Sequence, residues 1–306
     1  MYDQAPWRET GRVIIPFRFG VVSAQPPQGS GWTDHVRRVE SLGYGTLLMP
    51  DNLGHGLAVF PALATAAAAT SRLHLGSYVL ANDTRHPVQV AKEALTLALL
   101  SDGRFELGLG AGRPDAAADN AMLGLDFDDA GTRVSRLIDS VSIIKRLLAG
   151  ETVDHHSEHY SIKSAAIVPW GVEPPTVRLL IAASDRRMIT LAAEQADILA
   201  LGVPPETAES AVDRRLGWLR GAAGDRPVEV NINLMAVDEV VPRYLAGRFD
   251  PSALAKARAI SVVTGSPEQI ADQLRDRRQR LGINYVVAGD ELMDAFAPVV
   301  RLLAGS

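Results

Sequence analysis

The residues best suited to chemistry form a glycine-rich segment directly after an apolar run. Gly108-Leu109-Gly110-Ala111-Gly112 overlaps the end of the run Arg104–Leu109 and precedes Arg113. Glycines at a strand end let the backbone approach a flat ligand closely, because no Cβ is in the way. A dinucleotide-binding fingerprint would need glycine in place of Arg113 and a helix directly after it, so the segment does not fit that motif. A cofactor contact and a plain barrel turn both stay open on spacing alone.

A second candidate site joins another apolar run to a helix. Ala182-Ala183-Ser184-Asp185-Arg186-Arg187 links the run Arg178–Ala182 to a helix expected over Met188–Ala196. A helix N-terminus offers free N–H groups, and with two arginines beside it the segment is suited to binding a phosphate. A capped helix with solvent-facing charges explains the same residues equally well.

Histidine, lysine and serine patterns argue against other enzyme classes. His155-His156-x-x-His159 invites a metal hypothesis, but adjacent strand residues face opposite sides and no HExxH helix is present, so no metal is expected. No lysine lies at an expected strand end and no G-x-S-x-G elbow occurs, which disfavours a Schiff-base aldolase and a serine hydrolase.

The composition narrows the class of protein. With 306 residues, a net charge of −5 and few aromatic residues, the chain lacks the basic surface of a nucleic-acid-binding protein. The absence of cysteine excludes disulfides, cysteine-ligated metal and cysteine nucleophiles. Residues 1–12 do not resemble a signal peptide, and the apolar stretch Leu57–Thr70 is too short to span a bilayer. We expect a cytoplasmic protein that binds neither nucleic acid nor membrane and acts on a small-molecule substrate.

The elements that must position these residues alternate along the chain. Short, near-continuous runs of Val, Leu and Ile are typical of strands buried on both faces of a parallel sheet, and helix-period stretches separate them. The expected strands are Phe17–Val22, Thr46–Pro50, Leu73–Leu80, Arg104–Leu109, Arg178–Ala182, Asp197–Leu201, Val228–Ala236 and Asn284–Ala288. Eight such repeats predict an α/β protein, a (β/α)8 TIM barrel with insertions, spanning residues 1–306 as a single domain.

Three helices are clearly marked in the sequence. Pro87–Leu100 and Thr132–Ala149 carry apolar residues at helical spacing, and a third helix runs from the capping box at Ser266 to Leu281. Within that third helix, the charge run from Arg275 to Arg280 is expected to be a solvated outer face.

Three stretches do not follow the alternation. Val153–Val168, within an insertion over 151–170, is expected to be a β-hairpin or irregular, and Val240–Ala259, within 240–260, is expected to be irregular. Both are expected near the barrel mouth, where they would shape the substrate pocket. Residues 1–15 are expected to form an N-terminal extension.

Long strings of the sequence resemble one family. Thr84–Arg113, TRHPVQVAKEALTLALLSDGRFELGLGAGR, resembles the signature of the bacterial luciferase-like monooxygenase superfamily. Leu42–Asp51, Leu73–Asp83 and Leu179–Gly202 agree with that family in order, so the likeness covers roughly Phe17–Gly202. Among its branches the chain is most similar to the F420-dependent oxidoreductases.

The resemblance implies a TIM barrel that binds coenzyme F420, or alternatively FMN, at its C-terminal mouth. It implies a non-prolyl cis peptide at Tyr78–Val79 backing the ring, and it assigns the ring edge and the catalytic role to Asp51 and Asn52. Relatives commonly form dimers, so a homodimer is expected. By position the cofactor-binding residues would be Asp51, Asn52, Ser77, Tyr78, Val79, Asn82, Gly110, Ala111, Gly112, Arg113, Ser184, Asp185 and Arg186.

Departures from the family pattern keep three functions open. Asn52 stands where many relatives carry histidine, and Arg113 stands where the family's sugar-phosphate dehydrogenases carry an acid. Ala183-Ser184-Asp185 replaces a glycine-rich phosphate turn. The leading hypothesis is hydride transfer between F420 and a small organic substrate; the alternatives are an FMN monooxygenase using oxygen and a cofactor-free barrel serving as a scaffold or partner subunit. For a general acid, only His55, His86 and His159 are candidates, by the position of their loops.

Overall fold

Strands and helices alternate through most of the chain. The computed structural model describes residues 7–9, 12–27, 29–113, 116–167, 173–248 and 250–306. Its strands are β1 Trp7–Glu9, β2 Arg12–Ile14, β3 Arg18–Val22, β4 Thr46–Met49, β5 His74–Ser77, β6 Leu80–Ala81, β7 Phe105–Gly110, β8 Val153–His156, β9 Ser161–Ala165, β10 Arg178–Ala183, β11 Ile198–Leu201, β12 Glu229–Leu234, β13 Ala236–Val237, β14 Val262–Val263 and β15 Ile283–Gly289. Its helices are α1 Trp32–Ser41, α2 Val59–Ala69, α3 Pro87–Leu100, α4 Ala117–Met122, α5 Ala130–Leu148, α6 Arg186–Gln195, α7 Glu209–Ala223, α8 Pro251–Lys256, α9 Pro267–Leu281 and α10 Met293–Leu303.

Eight parallel strands close into a barrel, which confirms the expected (β/α)8 fold. The order of hydrogen-bonded neighbours is β10, β11, β12, β15, β3, β4, β5 and β7, and the pairing of β7 with β10 closes the ring. Every residue of β4 and of β7 is buried, because helices cover the outside while side chains fill the inside. This two-sided burial accounts for the continuous apolar runs.

The barrel interior is charged near the amino ends of its strands and lined by small residues near their carboxyl ends. Near the amino ends of the strands, Arg18 forms ion pairs with Glu106 and Glu229. Near the carboxyl ends, the small residues Gly110 and Ala182 leave space between the strands. These small residues therefore lie at the end at which TIM-barrel sites are built.

Two expected strands are interrupted. Leu73–Leu80 divides into β5 and β6 around a cis peptide bond between Tyr78 and Val79, which confirms the implied bond and corrects the strand's extent. Val228–Ala236 divides into β12, which pairs in the barrel, and β13, which leaves it to pair with β14. In both cases the strand changes its pairing at the carboxyl end.

The first insertion forms the hairpin that was one of its two expected structures, and the second holds more structure than expected. β8 and β9 form an antiparallel hairpin within Val153–Val168, of which Val168 lies outside the described residues. Val240–Ala259 contains the helix α8, because Asp250 caps its first turn and Pro251 suits it. In the N-terminal extension, β1 and β2 pair antiparallel.

One expectation about α9 is wrong. Arg277, within the charge run expected to be solvated, is only 4% exposed. Its guanidinium donates to a carboxylate oxygen of Glu209 and to the carbonyls of Ala259, Ile260 and Val262. The side chain ties α9 to the segment entering β14, because it satisfies backbone groups that water cannot reach.

Replacing Arg277 by methionine is expected to lower the unfolding free energy by about 3 kcal/mol or more, since three buried carbonyls would lose a donor and Glu209 would lose one of three arginine partners. Urea unfolding measures the loss. Arg275→Met is the matched control, because Arg275 is exposed and, among the residues that the structure describes, pairs with the exposed Asp272 alone, so a change within about 0.5 kcal/mol is expected. Equal effects of the two substitutions would contradict the buried role of Arg277.

Candidate functional site

A cavity of about 480 Å³ opens at the carboxyl ends of the barrel strands. Its volume lies within the range of small-molecule sites. The lining residues are Pro50, Asp51, Asn52, Tyr78, Val79, Leu80, Ala81, Gly110, Ala111, Gly112, Arg113, Ala116, Asp119, Ala130, Arg133, Val134, Ala182, Ala183, Ser184, Asp185, Met188 and Gly202. The structure therefore brings together ten of the residues expected at a cofactor site.

The cis peptide at Tyr78–Val79 forms one wall of this cavity. Val79 projects toward the neighbouring strand, where a Cβ added to Gly110 would lie 2.7 Å from Val79 Cγ2. A Cβ added to Gly108 would overlap the carbonyl oxygen of Ser77. The glycines of β7 therefore make room for the bulge as well as for a ligand.

Three of the expected cofactor residues do not line the cavity. Ser77 is fully buried, and its hydroxyl donates to the carbonyl of Gly108 at 2.9 Å and accepts from the Gly108 N–H at 2.8 Å. Asn82 is buried and donates to the hydroxyl of Tyr160 at 3.4 Å. Arg186 is exposed on the first turn of α6. Ser77 thus ties β5 to β7, and Asn82 ties the segment after β6 to the β8–β9 hairpin.

Asp51 lies at the cavity wall in a two-pronged ion pair. Arg85 Nε donates to Asp51 Oδ2 at 3.1 Å, and Arg85 Nη2 donates to Oδ1 at 2.9 Å. The side chain of Asp51 is 9% exposed and that of Arg85 is 26% exposed. Because both carboxylate oxygens already accept charge-assisted hydrogen bonds, Asp51 acts first as an anchor for the segment that enters α3.

Breaking this pair is expected to destabilise the protein. In a double-mutant cycle of Asp51→Asn and Arg85→Gln, we expect a coupling free energy of about 1–2 kcal/mol, because the pair is bidentate and partly shielded from water. Urea unfolding of the four proteins measures it. A coupling below about 0.5 kcal/mol would mean that the pair behaves like an ordinary surface contact.

Asn52 is oriented by Arg113. Arg113 Nη2 donates to Asn52 Oδ1 at 2.8 Å, and both residues line the cavity. A guanidinium has only donors, so it fixes the amide oxygen toward itself and turns the amide nitrogen the other way. Asn52 therefore offers a hydrogen-bond donor, not a base, to a ligand.

Tyr78 is likewise held as a protonated group. Its hydroxyl donates to Asn231 Oδ1 at 2.7 Å across the barrel interior. Burial raises the pKa of the Tyr78 phenol well above its usual value, so the group stays neutral at physiological pH. Its role is to fix the wall beside the bulge.

Asp185 caps a helix at the expected phosphate turn. Asp185 Oδ1 accepts a hydrogen bond from the backbone N–H of Met188 at 3.0 Å, at the start of α6. The neighbouring Ser184 also lines the cavity. The capping geometry explains how an aspartate is tolerated where an anion is expected, because its charge is engaged with the helix end.

The candidate histidines lie away from the cavity lining. His86 caps α3 through Nδ1, and its ring packs edge-on against Tyr160. His55 and His159 are also missing from the lining. Within the described residues no cluster of His, Cys, Asp or Glu is arranged to hold a metal, and none of the helices there has both the length and the apolar character needed to cross a membrane.

Sequence reasoning missed Arg133, which lines the cavity from the first turn of α5 and is 7% exposed. A signal was present, since Arg133 lies four residues before the buried Leu137 and so shares its helix face. Val134 and Ala130 of the same turn also contribute to the lining.

Comparison with known proteins identifies similar chains. Residues 11–235 match the family model of luciferase-like monooxygenases. The F420-dependent glucose-6-phosphate dehydrogenase of Microbacterium testaceum (strain StLB037) is 32% identical over 164 residues, which cover 51% of this chain and 48% of that protein. This chain thus spans about half the length of that relative.

A second relative matches a larger share of the chain. The 4-hydroxyprotoasukamycin monooxygenase of Streptomyces nodosus subsp. asukaensis is 28% identical over 284 residues, covering 87% of this chain and 71% of that protein. Among solved structures, the coenzyme F420-dependent tetrahydromethanopterin reductase of Methanopyrus kandleri superposes with a TM-score of 0.72 at 17% identity, covering 94% of this chain and 98% of that one. At this identity the structural match supports the fold alone.

Proposed function

The chain belongs to the luciferase-like monooxygenase family, and on that premise we propose that it is an F420-dependent oxidoreductase acting on a small organic substrate. The observation that carries the proposal is the slot at the barrel mouth, walled by the Tyr78–Val79 bulge and by the glycines of the Gly110–Gly112 turn. The similarity to an F420-dependent dehydrogenase supports the choice of cofactor.

The residues present fit a tricyclic ring with a ribityl side chain. Gly110 has no side chain to block the floor of the slot, and Gly112 adopts φ of 80°, which turns the backbone in a way that favours glycine. When bound, the reduced deazaflavin supplies a hydride. The protein's contribution is to hold ring and substrate in contact and to exclude water.

The polar residues at the slot act by binding and orienting. Asn52 would donate from its amide nitrogen to an acceptor on the ring or the substrate, because Arg113 holds its oxygen. Asp51 would fix the ring edge indirectly, by holding Arg85 and the start of α3 in place. Asp51 and Asn52 are thus assigned binding roles, and neither is assigned the transfer of a proton.

A second candidate function is an FMN-dependent monooxygenase that uses oxygen. It is favoured by the similarity to 4-hydroxyprotoasukamycin monooxygenase, which extends over 87% of this chain. The slot would accommodate either tricyclic ring, so the choice depends on the relative affinities for the two cofactors.

Titration of the purified protein with F420 and, separately, with FMN tests the proposal. Cofactor fluorescence reports binding, and we expect F420 to bind at least about tenfold more tightly than FMN, a difference of about 1.4 kcal/mol. Tight FMN binding without a response to F420 would favour the monooxygenase. If neither cofactor binds the folded protein, both redox assignments are overturned, and the scaffold hypothesis is supported.

A further inference from the structure

A nearly buried cation lies in the wall of the cavity. Arg133 projects from the first turn of α5, its side chain is 8% exposed, and it borders the cavity beside Gly112. A Cβ on Gly112 would lie 3.7 Å from Arg133 Nε, so the arginine sits directly behind the glycine turn. A buried arginine requires polar partners, because removing a charge from water costs several kcal/mol.

The guanidinium is fixed on three sides. Nε donates to the carbonyl of Ala111 at 3.0 Å, and Nη1 donates to the carbonyl of Asp128 at 2.8 Å. The ring of Phe127 lies against it, with Cζ 4.0 Å from the ring centroid. The second terminal nitrogen, Nη2, makes no hydrogen bond to any described residue. The group is therefore oriented in advance, with one donor nitrogen left for another partner.

The positive charge of Arg133 is incompletely balanced. Its nearest carboxylate is Asp83, whose Oδ2 lies 3.9 Å from Arg133 Nε, beyond hydrogen-bonding distance. The other oxygen of Asp83 accepts from Arg136 Nη1 at 2.8 Å, so its directional bond goes to Arg136. Arg136 also pairs with Asp128. Two arginines thus share Asp83, and the one facing the cavity is the more weakly paired.

The N-terminus of α5 is not itself the binding group. Asp129 accepts hydrogen bonds from the N–H groups of Gly131 and Thr132, so these donors are already satisfied. Across the cavity, Asp185 engages the N–H of Met188 in the same way. Arg133 is left as a cation in the cavity lining with a donor nitrogen that no described residue uses, which suits it to an anion.

We propose that Arg133 forms an anion subsite for the cofactor side chain, binding a phosphate or carboxylate group that runs past the Ala111–Gly112 turn. This inference rests on the proposed function, since it presupposes that the ring occupies the slot. It assigns to α5 a role in cofactor affinity that is separate from the ring contact proposed for Asn52.

The test compares ligands that differ only in their anionic groups. F420 is titrated against the ribityl deazaflavin that lacks phosphate and carboxylates, and FMN against riboflavin, on wild-type protein and on Arg133→Met. Arg146→Met is the matched control, because Arg146 lies on the same helix, pairs with the exposed Glu151 and does not line the cavity. Arg133→Gln, which loses the charge but keeps two donors, replaces the methionine variant if that one does not fold, as judged by circular dichroism.

We expect Arg133→Met to weaken F420 binding at least about tenfold and to leave the affinity of the ribityl deazaflavin unchanged, because a charge-assisted hydrogen bond is lost. Arg146→Met should change neither affinity. If Arg133→Met instead weakens FMN binding and leaves riboflavin binding unchanged, the anion subsite is supported and the cofactor is reassigned to FMN. Unchanged F420 affinity in Arg133→Met, with both deazaflavins bound, overturns the subsite alone. If no deazaflavin or flavin binds wild-type protein, the subsite and the proposed function are both overturned.

Discussion

Replacing Gly110 by valine is expected to reduce F420 affinity by at least about a hundredfold, equivalent to about 2.7 kcal/mol. A Cβ at this position would lie 2.7 Å from Val79 Cγ2 and 3.9 Å from Ala182 Cβ, and valine adds two further methyl groups to this crowded position in the cavity lining. The bulge at Tyr78–Val79 is packed from behind by Ser77, so it cannot retreat without losing buried hydrogen bonds. Fluorescence titration measures the loss.

Two variants control for a general effect of replacing glycine. Gly110→Ala adds only the Cβ and is expected to fall between wild type and valine. Gly217→Ala lies within α7, where nothing stands within 4 Å of an added Cβ, so cofactor affinity should not change. If Gly110→Val binds F420 as wild type does, the ring does not lie over Gly110.

Replacing Glu229 by glutamine is expected to lower the unfolding free energy by about 3 kcal/mol, because Arg178 would lose its counter-charge and Arg18 would keep only Glu106. Glu229 accepts from Arg18 at 3.0 Å and from Arg178 at 2.7 Å, near the amino ends of the strands. No contact with the cofactor or the substrate is expected there, since residues at this end of a TIM barrel contribute to stability. Cofactor affinity of the folded variant should therefore equal that of wild type, while urea unfolding reveals the loss.

The effect of Glu229→Gln should depend on pH. Burial raises the pKa of Glu229, but the ion pairs with Arg18 and Arg178 outweigh burial and hold the pKa below its usual value. The folded state then binds fewer protons than the unfolded state in acid, so this stabilisation is present above the usual glutamate pKa of about 4.3 and is lost as the pH falls below it. The stability gap between wild type and the variant should narrow on acidification.

Glu151→Gln is the control for this substitution. Glu151 pairs with Arg146 on the surface, where its side chain is 51% exposed, and such pairs contribute little. We expect a change below about 0.5 kcal/mol at every pH. A loss in Glu229→Gln no larger than in Glu151→Gln would contradict the role assigned to the buried network.

The barrel could be predicted from sequence because its strands are buried on both faces. Residues such as those of β4 and β7 form mostly apolar runs, and this pattern can be recognised without knowing which residues contact them in the fold. The break at Tyr78–Val79 has no such local mark. It depends on Val79 packing against Gly108 and Gly110 of the next strand, and only the likeness to a known family suggested it.

The candidate site was predicted in outline but not in its contacts. The resemblance pointed to Asp51, yet its partner Arg85 lies 34 residues away, and no spacing rule links them. The turn at Asp185 allowed two interpretations, and its capping bond to Met188 supports one of them. Pairings of this kind are decided by tertiary packing, which sequence periodicity does not describe.

The burial of two arginines was not predicted, although the sequence carried a signal for both. Arg133 lies four residues before Leu137, and Arg277 lies three residues after Leu274, so each shares the buried face of its helix. A charge on an apolar face is costly unless it is paired, so such a position predicts a buried partner. The charge run of α9 was interpreted from its composition alone, so the buried position of Arg277 was not predicted.

The crystal structure of the protein with F420 bound tests the proposed cofactor site most directly. We expect the deazaflavin ring to lie against the Tyr78–Val79 bulge with one edge toward Asn52, and the side chain to pass Gly110 and Gly112 toward Arg133. A ring bound elsewhere on the barrel, or a slot that stays closed to the ring while F420 binds, would rule this site out.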